Sequence, residues 1–379
     1  MEKSKTVEIV GAGPAGLVAA LSLRKAGLRV RIYEERDDVG HRFNGDFQGI
    51  ENWSEKEDVQ DQLRKIGVEI NFHCVPFYGG VVYGPDREKI EIKNDKPLFY
   101  LVRRGRVSDS LEQGLKAQAL DAGVEIVFGK RIEKIEPGTI TAIGPKGADA
   151  IAKGVTFETN LPDQSIGIFD DRLSPGAYSY FLICGGKATL ATVLIRDYSD
   201  VNIYFQKTVK AFKELLSFEM KNPREFGGFG NFFLRPKEEH GGHLYVGESA
   251  GFQDFLWGFG MRYAMTSGYL AAQSIIHEKN YDGLWRKTLR PRLRASMINR
   301  VLVDRLGNAL YRRFIRRFSK AGSAKDYLLG VYAWSPWKWL LYPYAISHYH
   351  SRVKDERCNH TDSCDCVWCR CQRKTVKNM

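Results

Sequence analysis

Residues 11 to 16 read Gly-Ala-Gly-Pro-Ala-Gly, a spacing suited to bringing a backbone turn against a pyrophosphate. Gly11 permits a tight strand-to-helix turn. Gly13 carries no side chain where a phosphate would approach, and Gly16 lets the helix pack closely on the strand. Pro14 and Ala15 complete the turn. The unpaired N–H groups and positive dipole end of a helix starting there favour an anion. Glu34 follows at the end of the next apolar strand, where a carboxylate can accept hydrogen bonds from ribose hydroxyls. This fingerprint marks a dinucleotide site without saying which dinucleotide.

Three further groups carry chemistry. Late in the chain, Gly247 and Glu248 end a strand, and Gly258, Gly260 and Met261 open a helix running to about His277. A carboxylate so placed can hold a ribityl hydroxyl, and the helix start can stabilise negative charge on a reduced flavin ring. Arg104 lies at the end of a strand before the helix carrying Leu111, Leu115 and Ala119, placed to meet a phosphate or a flavin edge. Finally, Cys358, Cys364, Cys366, Cys369 and Cys371 crowd the last part of the chain beside His360. Thiolates at this density suit zinc, which takes four N or S ligands, or an iron–sulfur cluster; a tail with no stable metal is the third reading. Cys74 and Cys184 stand alone, read as small buried apolar residues, and form no C-x-x-C pair for disulfide chemistry.

The elements that must position these groups are those of a globular α/β chain. The 379 residues suffice for two packed domains, and the apolar and charged fractions are ordinary. A formal charge of +12 admits nucleic acid, an anionic membrane surface or an anionic substrate and cofactor as partners. The basic residues crowd between Arg286 and Arg317, and no nucleic-acid recognition module appears, so no nucleic-acid partner is expected. Val301, Leu302, Leu306, Leu310, Phe314 and Phe318 fit one broad helical face, and the Trp- and Tyr-rich run from Tyr332 to Tyr344 follows. That region reads equally as a membrane-interface surface and as a helical cap on a substrate chamber. The start of the chain has no apolar core of a signal peptide, and no apolar run is long enough to suggest a spanning helix. A cytoplasmic protein, or one peripheral on the inner face of the membrane, is expected.

Taken together, these segments resemble the geranylgeranyl reductase family, within the p-hydroxybenzoate hydroxylase-like flavoproteins. That family reads G-x-G-P-A-G near the start, an Arg before a central helix, and G-D-A-A-G-F-x-D-P-x-x-G-x-G-I late. Here the late motif runs from Gly247 to Met261 with the same spacing, and the resemblance covers Thr6 to Ile276. The stretch from Pro175 to Ile183, bottom-up an alternating aromatic strand, is similar to the family's P-x-x-Y-x-W-x-F-P, which lines the prenyl pocket. The departures are Glu248 for Asp, Phe255 for Pro, Tyr180 for Trp, Leu182 for Phe and Ile183 for Pro. Asn44-Gly45 stands where many relatives carry Cys-Gly.

The resemblance implies FAD as cofactor, NAD(P)H or a ferredoxin as electron donor, and reduction of isoprenoid double bonds in a prenyl-lipid or other hydrophobic substrate. Tyr178 is the candidate proton donor. A monooxygenase acting on an aromatic or polyketide-like substrate, and a non-catalytic flavin-bound protein at the membrane, are the alternatives. The expected fold class is α/β: a Rossmann-like FAD-binding domain with an inserted mixed β-sheet substrate domain and a helical C-terminal region. The expected boundaries are 1–45, 98–155 and 240–278 for the FAD domain, and 46–97 and 156–239 for the substrate sheet. A basic, aromatic helical region over 279–350 and a Cys-rich tail over 351–379 complete the chain.

Overall fold

The computed structural model describes residues 6–132, 136–145 and 147–348. The tail cysteines, Cys358 to Cys371, lie outside the described residues. In chain order the first elements are β1 (Val7–Val10), α1 (Pro14–Lys25), β2 (Val30–Tyr33), β3 (Asn44–Glu51), α2 (Val59–Lys65), β4 (Cys74–Phe77), β5 (Gly79–Tyr83) and β6 (Lys89–Lys93). Next come β7 (Phe99–Gly105), α3 (Leu111–Asp121), β8 (Glu125–Val127), β9 (Ile140–Thr141), β10 (Ala150–Glu158), β11 (Gln164–Ile168), β12 (Ser179–Cys184) and β13 (Lys187–Leu194). Then follow α4 (Val201–Leu215), β14 (Lys221–Gly230), β15 (Glu239–His240), β16 (His243–Tyr245) and α5 (Met261–Ile276). The chain closes with α6 (Tyr281–Thr288), α7 (Arg290–Leu306), α8 (Asn308–Phe318), α9 (Ala324–Tyr332) and α10 (Pro336–His348).

Three sheets result. The first has the order β15-β16-β9-β1-β2-β8 and is parallel except at the β15–β16 edge. Parallel strands need crossovers and burial on both faces. Accordingly α1 is apolar nearly all round, with Leu17, Val18, Ala19, Ala20 and Leu23 fully buried. Pro14 sits at its first turn, where a missing N–H costs nothing. The second sheet, β14-β10-β13-β12-β11-β5-β6, is mixed: only β11 and β5 run parallel. The amphipathic α4 buries Phe205 and Phe212 among the side chains of this sheet. A small antiparallel sheet, β3-β7-β4, brings β3 and the strand carrying Arg104 together. The α/β class with its inserted mixed sheet is the observed fold.

The carboxyl region is helical, with one difference from the sequence pattern. The single face drawn across Val301–Phe318 is divided, because Gly307 takes φ +47° and ends α7. Val301 is buried, Leu306 is half exposed, and burial resumes on α8 at Tyr311, Ile315 and Phe318. The glycine lets α8 turn back onto the mixed-sheet side, where its Tyr311 hydroxyl donates to the Ala177 carbonyl at 2.9 Å. Cys74 and Cys184 are free, and burial pushes both thiols up to about 11. Neither is therefore a thiolate near neutral pH. Among the described residues, no helix is long and apolar enough to cross a membrane, and no group of His, Cys, Asp and Glu is arranged to hold a metal ion.

Candidate functional site

The glycine turn divides its three glycines between packing and exposure. Gly11 has φ +103°, and a Cβ there would lie 2.5 Å from the Ala142 carbonyl oxygen. A Cβ on Gly16 would lie 2.1 Å from the Gly11 carbonyl oxygen. Both positions are closed to any side chain by backbone. A Cβ on Gly13 would find only the Ala142 oxygen, at 4.0 Å. That face of the turn is bare, and α1 starts with no side-chain cap on its first N–H groups. Such a start binds an anion. The Glu34 carboxylate braces the turn: its Oε2 accepts from the Ala12 N–H at 2.9 Å and its Oε1 from the Arg36 N–H at 3.0 Å.

The late motif packs directly against this turn. Gly247 has φ +60°, and a Cβ there would sit 3.1 Å from that of Ala15. Its N–H donates to Ser267 Oγ of α5 at 2.9 Å. A Cβ on Gly268 would fall 2.0 Å from the Ala15 carbonyl oxygen, so α1 and α5 touch backbone to backbone there. Glu248 pairs with Arg42, which also donates to the Phe229 carbonyl at 2.6 Å. Gly258 takes φ +77°, and its carbonyl accepts from Gln253 Nε2 at 2.6 Å. Gly260 then opens α5 at Met261 without a side-chain cap.

Arg104 is placed differently from the free phosphate ligand its position suggests. It is buried, ion-paired to the equally buried Glu112 at 2.7 Å and bonded to Gln48 Oε1 at 2.8 Å. Its guanidinium lies 3.9 Å from the centre of the Phe43 ring. In this arrangement it fastens the segment that follows the glycine turn.

Tyr178 lies in an aromatic wall drawn from three parts of the chain. Its hydroxyl donates to the Trp257 carbonyl at 2.8 Å. Phe169 centres the wall, 4.9 Å from Trp257, 5.6 Å from Tyr311 and 6.1 Å from Phe314, ring centre to ring centre. The mixed-sheet side supplies Phe169 and Tyr178, the late motif supplies Trp257, and α8 supplies Tyr311 and Phe314. Burial, with Asp254 nearby, raises the Tyr178 phenol well above its ordinary value, so it holds its proton.

Beneath Trp257 lies a buried polar group that the sequence did not mark as a site. Asp254 accepts from the Trp257 N–H at 2.6 Å, and burial pushes its carboxyl up to about 6. Glu51, at the end of β3, is pushed up to about 7 by burial, with the Arg262 charge acting in the opposite direction. Ser54 donates to Glu51 Oε1 at 3.0 Å. Glu51 Oε2 and the Tyr263 hydroxyl have no hydrogen-bond partner among the described residues. Arg42 was missed as well. A pair joining positions 42 and 248 leaves no local signal, and nothing in the pattern of β3 announces that Glu51 is buried.

The sequence pattern of an NAD(P)-binding Rossmann-like domain matches residues 9–49. A digeranylgeranylglycerophospholipid reductase of Methanosarcina mazei is 24% identical over 355 residues, spanning 76% of this chain and 82% of that protein. A geranylgeranyl bacteriochlorophyll reductase-like protein of Thermoplasma acidophilum superposes with a TM-score of 0.66 at 16% identity, over 92% of this chain and all of that one. A flavin-dependent brominase superposes with a TM-score of 0.61 at 17% identity, covering 91% and 99% of the two chains. At such identities the structural likeness shows a shared fold.

Proposed function

We propose that the chain is a member of the geranylgeranyl reductase family of FAD-dependent oxidoreductases and that it reduces carbon–carbon double bonds in a geranylgeranyl-type lipid. One observation carries this reading. The late motif touches the glycine turn through Gly247 and contributes Trp257 to the aromatic wall, so a single run of chain joins a bare glycine turn to an apolar aromatic cluster.

The residues fit FAD. The bare face of Gly13, the uncapped start of α1 and the Glu34 carboxylate would hold the nucleotide and pyrophosphate. Glu248 and the uncapped start of α5 would face the ribityl and ring end. Bound there and reduced by two electrons from the donor, the flavin would supply a hydride to one alkene carbon, with a proton reaching the other. The chain's own side chains do the remaining work. Phe169, Trp257 and Phe314 orient an isoprenoid and exclude water. Tyr178 keeps its phenolic proton at the edge of that wall and is the proposed donor. Arg104 acts through Gln48 and Phe43 to position the segment after the turn.

NAD(P)H or a ferredoxin is the proposed electron donor. Zinc or an iron–sulfur cluster is the proposed occupant of Cys358, Cys364, Cys366, Cys369 and Cys371, and contact with the inner face of a membrane is part of the same reading. The test is anaerobic. The flavin-loaded protein is reduced with dithionite and given geranylgeranyl diphosphate or a geranylgeranyl lipid. A product heavier by two hydrogens per reduced double bond is expected. No prenyl product, with an O2-dependent hydroxylated aromatic instead, would replace the reading with a monooxygenase.

A further inference from the structure

A cleft of about 320 Å³ opens on the helical region, lined by Arg286, Lys287, Arg290, Arg294, Trp334 and Trp339 among others. Four cations line it and no carboxylate does. Arg286 gives part of its charge to the Pro236 carbonyl at 3.0 Å and to Asp282 at 3.5 Å. Arg294 lies over the Tyr342 ring at 4.4 Å, and its buried Nε has no hydrogen-bond partner among the described residues. Burial, and then the charges of Arg294 and Arg286, lower Arg290 from its ordinary value.

The first turn of α10 beside this cleft has its polarity reversed. Lys338 is 2% exposed, with its ammonium donating to the Val331 and Ala333 carbonyls at 2.8 and 2.6 Å, and burial pushes it down to about 8. Its neighbours Trp337, Trp339 and Leu340 are 47%, 58% and 83% exposed. A helix facing water would bury the tryptophans and expose the lysine. Here the cation is turned in and the indoles out, next to four positive charges of which Arg286 alone is ion-paired among the described residues, to Asp282. Tryptophan favours the headgroup level of a bilayer, and cations there attract anionic lipid.

We propose that this cleft receives the phosphate of an anionic phospholipid and that Trp337, Trp339 and Leu340 enter the membrane surface around it. The volume suits a headgroup rather than a whole lipid. Charge argues against the chain's own tail as occupant, since residues 349–379 carry seven Lys and Arg against four Asp and Glu. The exposed apolar rim argues for a phosphate borne by lipid over a free one. The site deepens the membrane part of the functional reading and rests on it. It lies on helices separate from the aromatic wall, so its test needs no turnover.

The experiment is sedimentation of the full-length flavin-loaded protein with phosphatidylcholine vesicles, with and without phosphatidylglycerol. Binding is expected only with phosphatidylglycerol and should weaken as salt rises. Arg290→Gln with Arg294→Gln should bind about 30-fold more weakly. Trp339→Ala with Leu340→Ala, two exposed positions that cost the fold little, should also weaken it. Unchanged flavin content and melting temperature identify variants that have folded. Equal binding of wild type and the Arg290/Arg294 variant, or no binding by the wild type, overturns the proposal. So does displacement from vesicles by millimolar inorganic phosphate at constant ionic strength, which would make the cleft a site for the free anion. Prenyl reduction assayed in detergent is a separate readout: its loss with vesicle binding intact would count against the reductase reading and leave this site standing.

Discussion

The glycine turn and the aromatic wall solve opposite problems. At the turn, contacts are made by what is missing: Gly11 and Gly16 meet backbone oxygens at distances no Cβ tolerates, and Gly13 leaves a face open. At the wall, contacts are made by bulk, with Phe169, Trp257, Tyr311 and Phe314 arriving from positions far apart in the chain. A cofactor common to many enzymes is held by backbone geometry, which a short motif can encode. Under the proposed function, the substrate would be held by side chains that only the tertiary fold assembles. The two regions should therefore fail differently when disturbed.

The largest effect should come at the turn. Gly16→Ala pushes a Cβ into the Gly11 carbonyl, which cannot move without dragging the strand, and overpacking of this kind costs about 3 kcal/mol or more. The expected result is little folded protein, read by thermal melting. Gly13→Ala meets no such obstacle and should fold with a melting temperature close to wild type while retaining far less flavin, read from the visible absorbance. If the two variants behave alike, the division of labour among the glycines is wrong.

The buried carboxyls beneath the wall give a pH signature that the turn lacks. Glu51 at about 7 and Asp254 at about 6 both lie above their ordinary values, so the folded chain holds protons that the unfolded chain releases. Their contribution to stability is complete below about pH 4 and is lost as pH rises through 6 and 7. For Glu51 the loss is on the order of 3 kcal/mol, because the charged form must be kept in a buried site. Melting temperatures between pH 5 and pH 8 should fall in the wild type and fall less steeply in Glu51→Gln, where Asp254 alone remains. An equal slope in the two proteins would remove Glu51 as the cause.

Smaller effects mark the join between the regions. Phe314→Ala trims a partly buried ring, at about 2 kcal/mol, and should slow prenyl turnover with flavin content unchanged. Arg42→Ala removes the partly exposed partner of Glu248, at about 1 kcal/mol or less, and should loosen flavin retention a few-fold. Comparison of bound flavin before and after gel filtration checks this.

The sequence showed the glycine turn more fully than the aromatic wall, for a physical reason. Gly11, Gly13 and Gly16 act within a few residues of one another, and the helix beginning at Met261 follows its glycines directly, so spacing alone placed them. The wall depends on where α8 turns. That turn hangs on Gly307 with its positive φ, which interrupts a helical face whose apolar spacing continues across it. Arg104 shows the limit of position as a guide: it stands where a phosphate ligand could, yet its charge is spent on Glu112. The Arg42–Glu248 pair and the burial of Glu51 arise from chain segments brought together only by the fold.

The most direct test of the central claim is anaerobic reoxidation of the dithionite-reduced protein by a geranylgeranyl lipid, followed at the flavin absorbance band in wild type and in Phe314→Ala. Both proteins should carry full flavin, the wild type should reoxidise, and the variant should do so at least tenfold more slowly, as expected when about 1.4 kcal/mol or more of substrate positioning is lost. Equal rates in the two proteins, or no reoxidation of the wild type by any prenyl substrate, would contradict the account.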